Sequence, residues 1–150
     1  LDQAAEEWCW GQNDVGQLGR GDSSEPTGVP MPPDAGVPLH GLVMPSVNRI
    51  YTHTCALDDD GAAWCWGAGD TGQLARTDTQ TSCWSGASYP CAPDPAPIES
   101  DLRFRVLAAG YDHTCGITTD GALYCWGDND HGELGRSGGS RTEPVRVTIR

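Results

Sequence analysis

The sequence predicts an all-β fold, a β-propeller whose blades are small antiparallel sheets, with about three repeats and an incomplete ring. Three observations carry this expectation. The string WCWG stands at Trp8–Gly11 and again at Trp64–Gly67, and YCWG stands at Tyr124–Gly127. Each copy is followed at the same distance by a second motif, VGQLGRG from Val15, TGQLART from Thr71 and HGELGRS from His131. The 20 glycines and 11 prolines of the 150 residues are spread throughout, which favours short strands and turns over long helices.

The repeat unit comes first because self-similarity at a fixed period decides the architecture. Two copies carry a third motif upstream, HTCALDDDG from His53 and HTCGITTDG from His113. The units run approximately over 1–52, 53–112 and 113–150, all within one propeller domain. Leu1-Asp2 matches Leu57-Asp58, so the first unit starts just after its HTC strand. A unit of this length built of small sheets fits a propeller blade.

The hairpin from His53 to Trp66 follows from its turn. Two short runs with Thr, Leu and Trp flank Asp59-Asp60-Gly61, and a three-residue hairpin loop needs a left-handed residue that Gly61 supplies. Thr119-Asp120-Gly121 repeats the device. This register sets Cys55 opposite Cys65 and Cys115 opposite Cys125, close enough for disulfides. Each would contribute roughly 2.5–3 kcal/mol in the chain-entropy model. Alternation puts Trp64 and Trp66 on one face and Cys65 on the other. The equivalent aromatics Trp8, Trp10, Tyr124 and Trp126 are expected to pack between sheets. Leu18, Leu74 and Leu134 are expected in that core, with Gly16, Gly72 and Gly132 at tight turns. The segment Asp101 to Ala109 is too short for a typical helix. The stretch Pro26 to Pro45 reads as an ordered, extended connection.

The chain carries seven cysteines. No C-x-x-C pair occurs and the two His-x-Cys sites lack a second near ligand, so a disulfide framework explains them better than zinc. Cys83 and Cys91 lie in one insertion and are expected to pair. Cys9 is left over, either unpaired or bridging to another chain. The N-terminal residues lack the basic start and apolar run of a signal peptide. The chain is read as secreted, cell-surface or periplasmic. It is also read as either an excerpt of a longer propeller or a piece that self-associates into a ring or fibre.

The formal net charge of −12 opposes nucleic-acid binding, and a mean hydropathy of −0.45 opposes membrane insertion. His53 and His113 share one repeat position, a poor place for a single catalytic base, and are read as structural. His40 and His131 find no convincing partner in the sequence. Asp58-Asp59-Asp60 and Asp128-Asn129-Asp130 resemble fragments of calcium loops, but neither completes the pattern. No nucleophile elbow, phosphate-binding loop or zinc-protease motif occurs. No cofactor, metal or catalytic residue is expected. The segment Thr79 to Pro97 is the informative irregularity. It sets Trp84 and Tyr89 between two cysteines, as a candidate binding loop.

The combination HTCAL…DG…WCWG…GQLG resembles the repeats of the regulator of chromosome condensation family. That resemblance implies a typically seven-bladed propeller, and the cysteine-containing form is similar to bacterial, exported members. The family includes a secreted inhibitor of β-lactamases and a nuclear guanine-nucleotide exchange factor. The expected function is therefore an extracellular scaffold, not an enzyme, that binds a protein or glycan through blade loops. A self-assembling structural subunit is the alternative. An enzyme with its site at the propeller mouth is the third reading.

Overall fold

The computed structural model describes residues 7–23, 26–43, 52–79, 83 and 89–148. Among the described residues ten strands form three antiparallel sheets. The first blade is a pair, β1 (Cys9–Gly11) and β2 (Thr27–Met31). The second blade contains β3 (Leu39–Val43), β4 (His53–Asp58), β5 (Ala63–Ala68) and β6 (Cys91–Pro97), hydrogen-bonded in that order. The third contains β7 (Phe104–Ala109), β8 (His113–Thr118), β9 (Leu123–Gly127) and β10 (Arg141–Arg146) in the same arrangement. Among the described residues no helix is long and apolar enough to cross a membrane.

Each full blade begins with the strand before the HTC motif. Blades and sequence units are therefore out of phase by one strand. The stretch Pro26 to Pro45 supplies two strands, β2 and β3, which belong to different sheets. Asp101 to Ala109 supplies β7. The prolines within strands fall in β2, β6 and β10, each at a sheet edge. A proline removes a ladder donor, so the edge is where it does least harm, and there it blunts pairing with another chain.

Turn chemistry fixes the central hairpin. Cys55 pairs with Cys65, Ala56 with Trp64 and Leu57 with Ala63. Gly61 closes the loop with a φ of +78°, a conformation that a Cβ disfavours. Asp58 holds the loop from inside. Its carboxylate accepts from the Asp60 and Ala62 amides at 3.0 and 2.9 Å and from the Trp64 indole at 2.9 Å. In the third blade Cys115 pairs with Cys125 in the same register. Disulfides join Cys55 to Cys65, Cys115 to Cys125 and Cys83 to Cys91. Cys9 carries a free, buried thiol, which burial and the nearby Glu7 charge push above its ordinary pKa.

The core lies between the second and third blades. Leu57, Leu74, Ile98, Phe104, Leu107 and Trp126 are buried in one cluster with the Cys55–Cys65 bridge. The rings of Phe104 and Trp126 meet at 5.7 Å, tilted by 51°. A smaller cluster joins Val15 of the first unit to Ala68, Cys83 and Cys91, with Tyr89 packed on it.

The aromatic positions of the repeat are not equivalent. Trp66 and Trp126 are fully buried, whereas Trp64 and Tyr124 are half-buried. Trp8 and Trp10 depart from the sequence expectation, being 49% and 60% exposed. The reason is geometric: the preceding blade covers Trp66 and Trp126, and no described blade lies before β1.

Candidate functional site

The repeated motifs converge at the seams between blades. In the Gly-(Gln/Glu)-Leu motif the middle side chain ties its own turn. Gln17 accepts from the Val15 amide at 3.1 Å, Gln73 from the Thr71 amide at 2.9 Å and Glu133 from the His131 amide at 2.9 Å. In the first two copies the main-chain carbonyl of the same residue faces the next blade. Gln17 O accepts from Thr54 Oγ1 at 2.8 Å and from Trp66 Nε1 at 3.0 Å. Gln73 O accepts from Thr114 Oγ1 at 3.1 Å and from Trp126 Nε1 at 2.9 Å. The HTC threonine and the second tryptophan of WCWG are thus two donors to one carbonyl.

Arg76 braces the second blade from within. It donates to the Cys65 and Asp94 carbonyls at 2.8 and 2.9 Å and forms a two-pronged pair with Asp78. The hydrogen bond and charge of Arg76 hold the Asp78 carboxyl below its usual range, against a smaller opposing effect of burial.

Beside the second seam, on the surface, lies an open polar cavity of about 530 Å³. Its lining includes Asp70, Thr71, Arg76, Asp128, Asp130 and Ser140. Tyr89 belongs to the candidate loop and reaches this rim, its hydroxyl donating to Asp70 Oδ2 at 2.8 Å. Trp84, the other aromatic of that loop, lies outside the described residues. The half-buried Tyr89 packs on the Cys83–Cys91 bridge, so its ring fastens the loop to the blades.

The sequence left two histidines without partners, and the structure sets each beside a carboxylate. His40 Nδ1 lies 3.9 Å from Asp59, and His131 Nδ1 lies 3.3 Å from Glu133. Sequence reasoning missed the first pair because His40 stands in β3 and Asp59 in the hairpin loop after β4, brought together only by the pairing of β3 with β4. The ligand atoms of Asp128, His131 and Glu133 lie within 4.8 Å of one another, close enough to share a metal ion. Part of that set is already engaged, since Ser140 donates to Asp128 at 3.0 Å. The Asp58 loop uses its carboxylate for the hairpin, as described, which gives the Asp58-Asp59-Asp60 run a turn role.

His53 is buried, with Nε2 2.8 Å from Thr114 Oγ1. This histidine–hydroxyl pair is closed to substrate, and the hydroxyl directs its proton to Gln73 O. It is therefore a structural link and not an activated nucleophile.

Antiparallel four-stranded blades, joined by a repeated carbonyl clamp, define a β-propeller of tandem repeats. Family models described as the regulator of chromosome condensation (RCC1) repeat match residues 60–117 and 120–150, and a second such model matches 105–133. The chain belongs to the RCC1-repeat family. It is 35% identical over 146 residues to the ultraviolet-B receptor UVR8 of Arabidopsis thaliana, covering 95% of this chain and 30% of that protein. It is 34% identical over 128 residues to the human E3 ubiquitin-protein ligase HERC2, covering 85% of this chain and 2% of that protein. Among solved structures it superposes on Prp20p of Saccharomyces cerevisiae with a TM-score of 0.70 at 21% identity, covering 93% of this chain and 33% of that one. Human WBSCR16 gives a TM-score of 0.71 at 18% identity, covering 95% and 34%. The chain spans about a third or less of each of these proteins.

Proposed function

We propose that this chain is part of a non-catalytic binding scaffold exported to an oxidising compartment, where its blade loops hold a protein partner. The observation that carries the reading is the pinned insertion. A disulfide between Cys83 and Cys91 and the Tyr89–Asp70 hydrogen bond fasten the segment beside the polar cavity at the blade seam. A segment tied down at Cys83, Tyr89 and Cys91 loses less entropy on binding, so contact energy goes into affinity. Three disulfides in a chain of 150 residues support an oxidising compartment. A protein partner draws support from the relatives, since Prp20p is described by its binding to Gsp1p and histones. The carboxylates at the cavity rim favour a basic contact surface on that partner.

The test uses the oxidised chain immobilised on a biosensor, probed with a secreted and periplasmic protein fraction and with a glycan array. Support would be saturable protein binding that is lost when residues 79–90 become a Gly-Ser linker of equal length. Binding to glycans alone, or protein binding indifferent to the loop, would overturn it.

A second reading, an assembling subunit, draws on Trp10. It keeps the strand position of the buried Trp66 and Trp126 yet is 60% exposed, so its face suits a covering blade. Light scattering with and without reductant separates the two readings. A mass above the monomer would favour assembly, and a monomer at high concentration would remove it.

A further inference from the structure

The latch between the second and third blades contains one buried base that is not fully paired. His53 stands at the start of β4, fully buried, with Nε2 2.8 Å from Thr114 Oγ1 in β8. The Thr114 hydroxyl has one proton and gives it to Gln73 O at 3.1 Å. It can only accept from His53, so Nε2 carries the hydrogen. In the neutral ring Nδ1 points a lone pair into the seam, where it has no hydrogen-bond partner among the described residues.

Protonation there would place a charge in a buried seam and add an N–H with no acceptor among the described residues. Burial, reinforced by the His113 charge and opposed by Asp70, lowers the imidazole to about pH 4. Among the described residues the groups around it leave no stronger counter-charge. His113 faces it from β8 and Asp70 from the turn after β5. The first blade contributes the neutral Gln17 beside Gly67, and the Arg105 side chain of β7 is exposed. No disulfide crosses this seam among the described residues: Cys55–Cys65 lies within the second blade and Cys115–Cys125 within the third.

We propose that the seam between the second and third blades is an acid-opened joint, with the His53–Thr114 contact as its latch. A proton taken from solvent onto Nδ1 turns the latch from a neutral donor into a cation that seeks water. The seam parts, while each blade keeps its own cross-strand bridge. The polar cavity between Asp70 and Asp128 splits with it, so whatever that cavity holds is released in acid. A histidine whose protonation is depressed in the folded state supports that state fully above about pH 6.5 and loses this support between about 6.5 and 4. Across that window the closed-to-open ratio falls by up to about 300-fold.

The experiment follows the His53 ring by NMR from pH 7 to 3, together with hydrogen exchange of the Trp126 indole, which crosses the seam to Gln73 O, corrected for intrinsic rates. The joint predicts a ring titrating near 4. It also predicts seam protection falling by up to about 300-fold while the Cys65 and Cys125 amides stay protected. His53→Gln keeps a donor for Thr114 but cannot take the proton, so its seam protection should be flat with pH. A ring titrating near 6.5, an unchanged pH slope in His53→Gln, or simultaneous loss of seam and blade protection would each overturn the proposal. If His53→Gln does not fold, the wild-type titration and exchange still decide.

Discussion

The indole N–H of Trp126 donates to the carbonyl of Gln73 at 2.9 Å, across the boundary between two blades. Trp66 makes the same bond to Gln17 at 3.0 Å one seam earlier. A main-chain oxygen buried at an interface is costly if unpaired, so these bonds make neighbouring blades depend on one another. Trp126→Phe keeps most of the ring and removes the donor, while Thr114 still serves the carbonyl. The expected loss is about 1 kcal/mol by urea unfolding with disulfides intact. Trp126→Ala also empties the space beside Phe104, and should cost about 3–5 kcal/mol.

Gly127, at the end of β9, lies against the start of the preceding strand β8 in its own sheet. An added Cβ would lie 2.5 Å from Asp112 O and 2.7 Å from His113 Cα, at a φ of +101°. Gly121, at the hairpin tip, also has positive φ, but its Cβ would meet open space. Gly121→Ala should therefore cost only the backbone strain, about 1 kcal/mol. Gly127→Ala adds a clash and should cost about 2–4 kcal/mol in thermal or urea melts.

Arg76 satisfies the buried carbonyl of Cys65 and the partly buried carbonyl of Asp94, besides its pair with Asp78. Lysine lacks the planar fork that serves them together. Arg76→Lys should lower stability by about 2–4 kcal/mol at neutral pH, measured by urea unfolding. Asp78 titrates below its usual range, so its support is present above the ordinary carboxylate range and is lost as pH falls through the depressed value. In the variant this acid limb should flatten.

Three disulfides leave one thiol among the seven cysteines. Thiol titration of the unfolded, unreduced chain should return one group per chain, Cys9. The Cys55→Ser, Cys65→Ser double variant should lose about 2–4 kcal/mol. A larger titre would mean that a bridge is absent.

Asp58 spends its carboxylate on two amides and an indole. Asp58→Ala should weaken the hairpin by about 1–2 kcal/mol. EDTA should leave the melting midpoint of the wild type unchanged. A downward shift would mean that a bound cation contributes to the fold.

Much of this was legible in the sequence, for reasons that particular residues display. Gly61 between two polar–apolar runs sets a hairpin register, and register sets Cys55 facing Cys65. The seam clamp was hidden because its acceptor is the main chain of Gln17 or Gln73, which no side-chain pattern reveals. The recurrence of Thr54 with Trp66 and of Thr114 with Trp126 was the available clue. The His53–Thr114 contact joins residues 61 apart in sequence, so only the docking of blades could disclose it. The exposure of Trp10 was unreadable for the same reason. Burial at that position comes from the neighbouring blade and not from its own strand.

The one-strand offset between unit and blade bears on how such arrays change length. The unit over 53–112 carries β4, β5 and β6 of one blade and β7 of the next. Excising or duplicating it at its sequence borders removes or adds four strands and rejoins the cut ends within a sheet of the same pattern. The covalent repeat acts as a lap joint. Tandem duplication can thus vary the number of blades while leaving none torn.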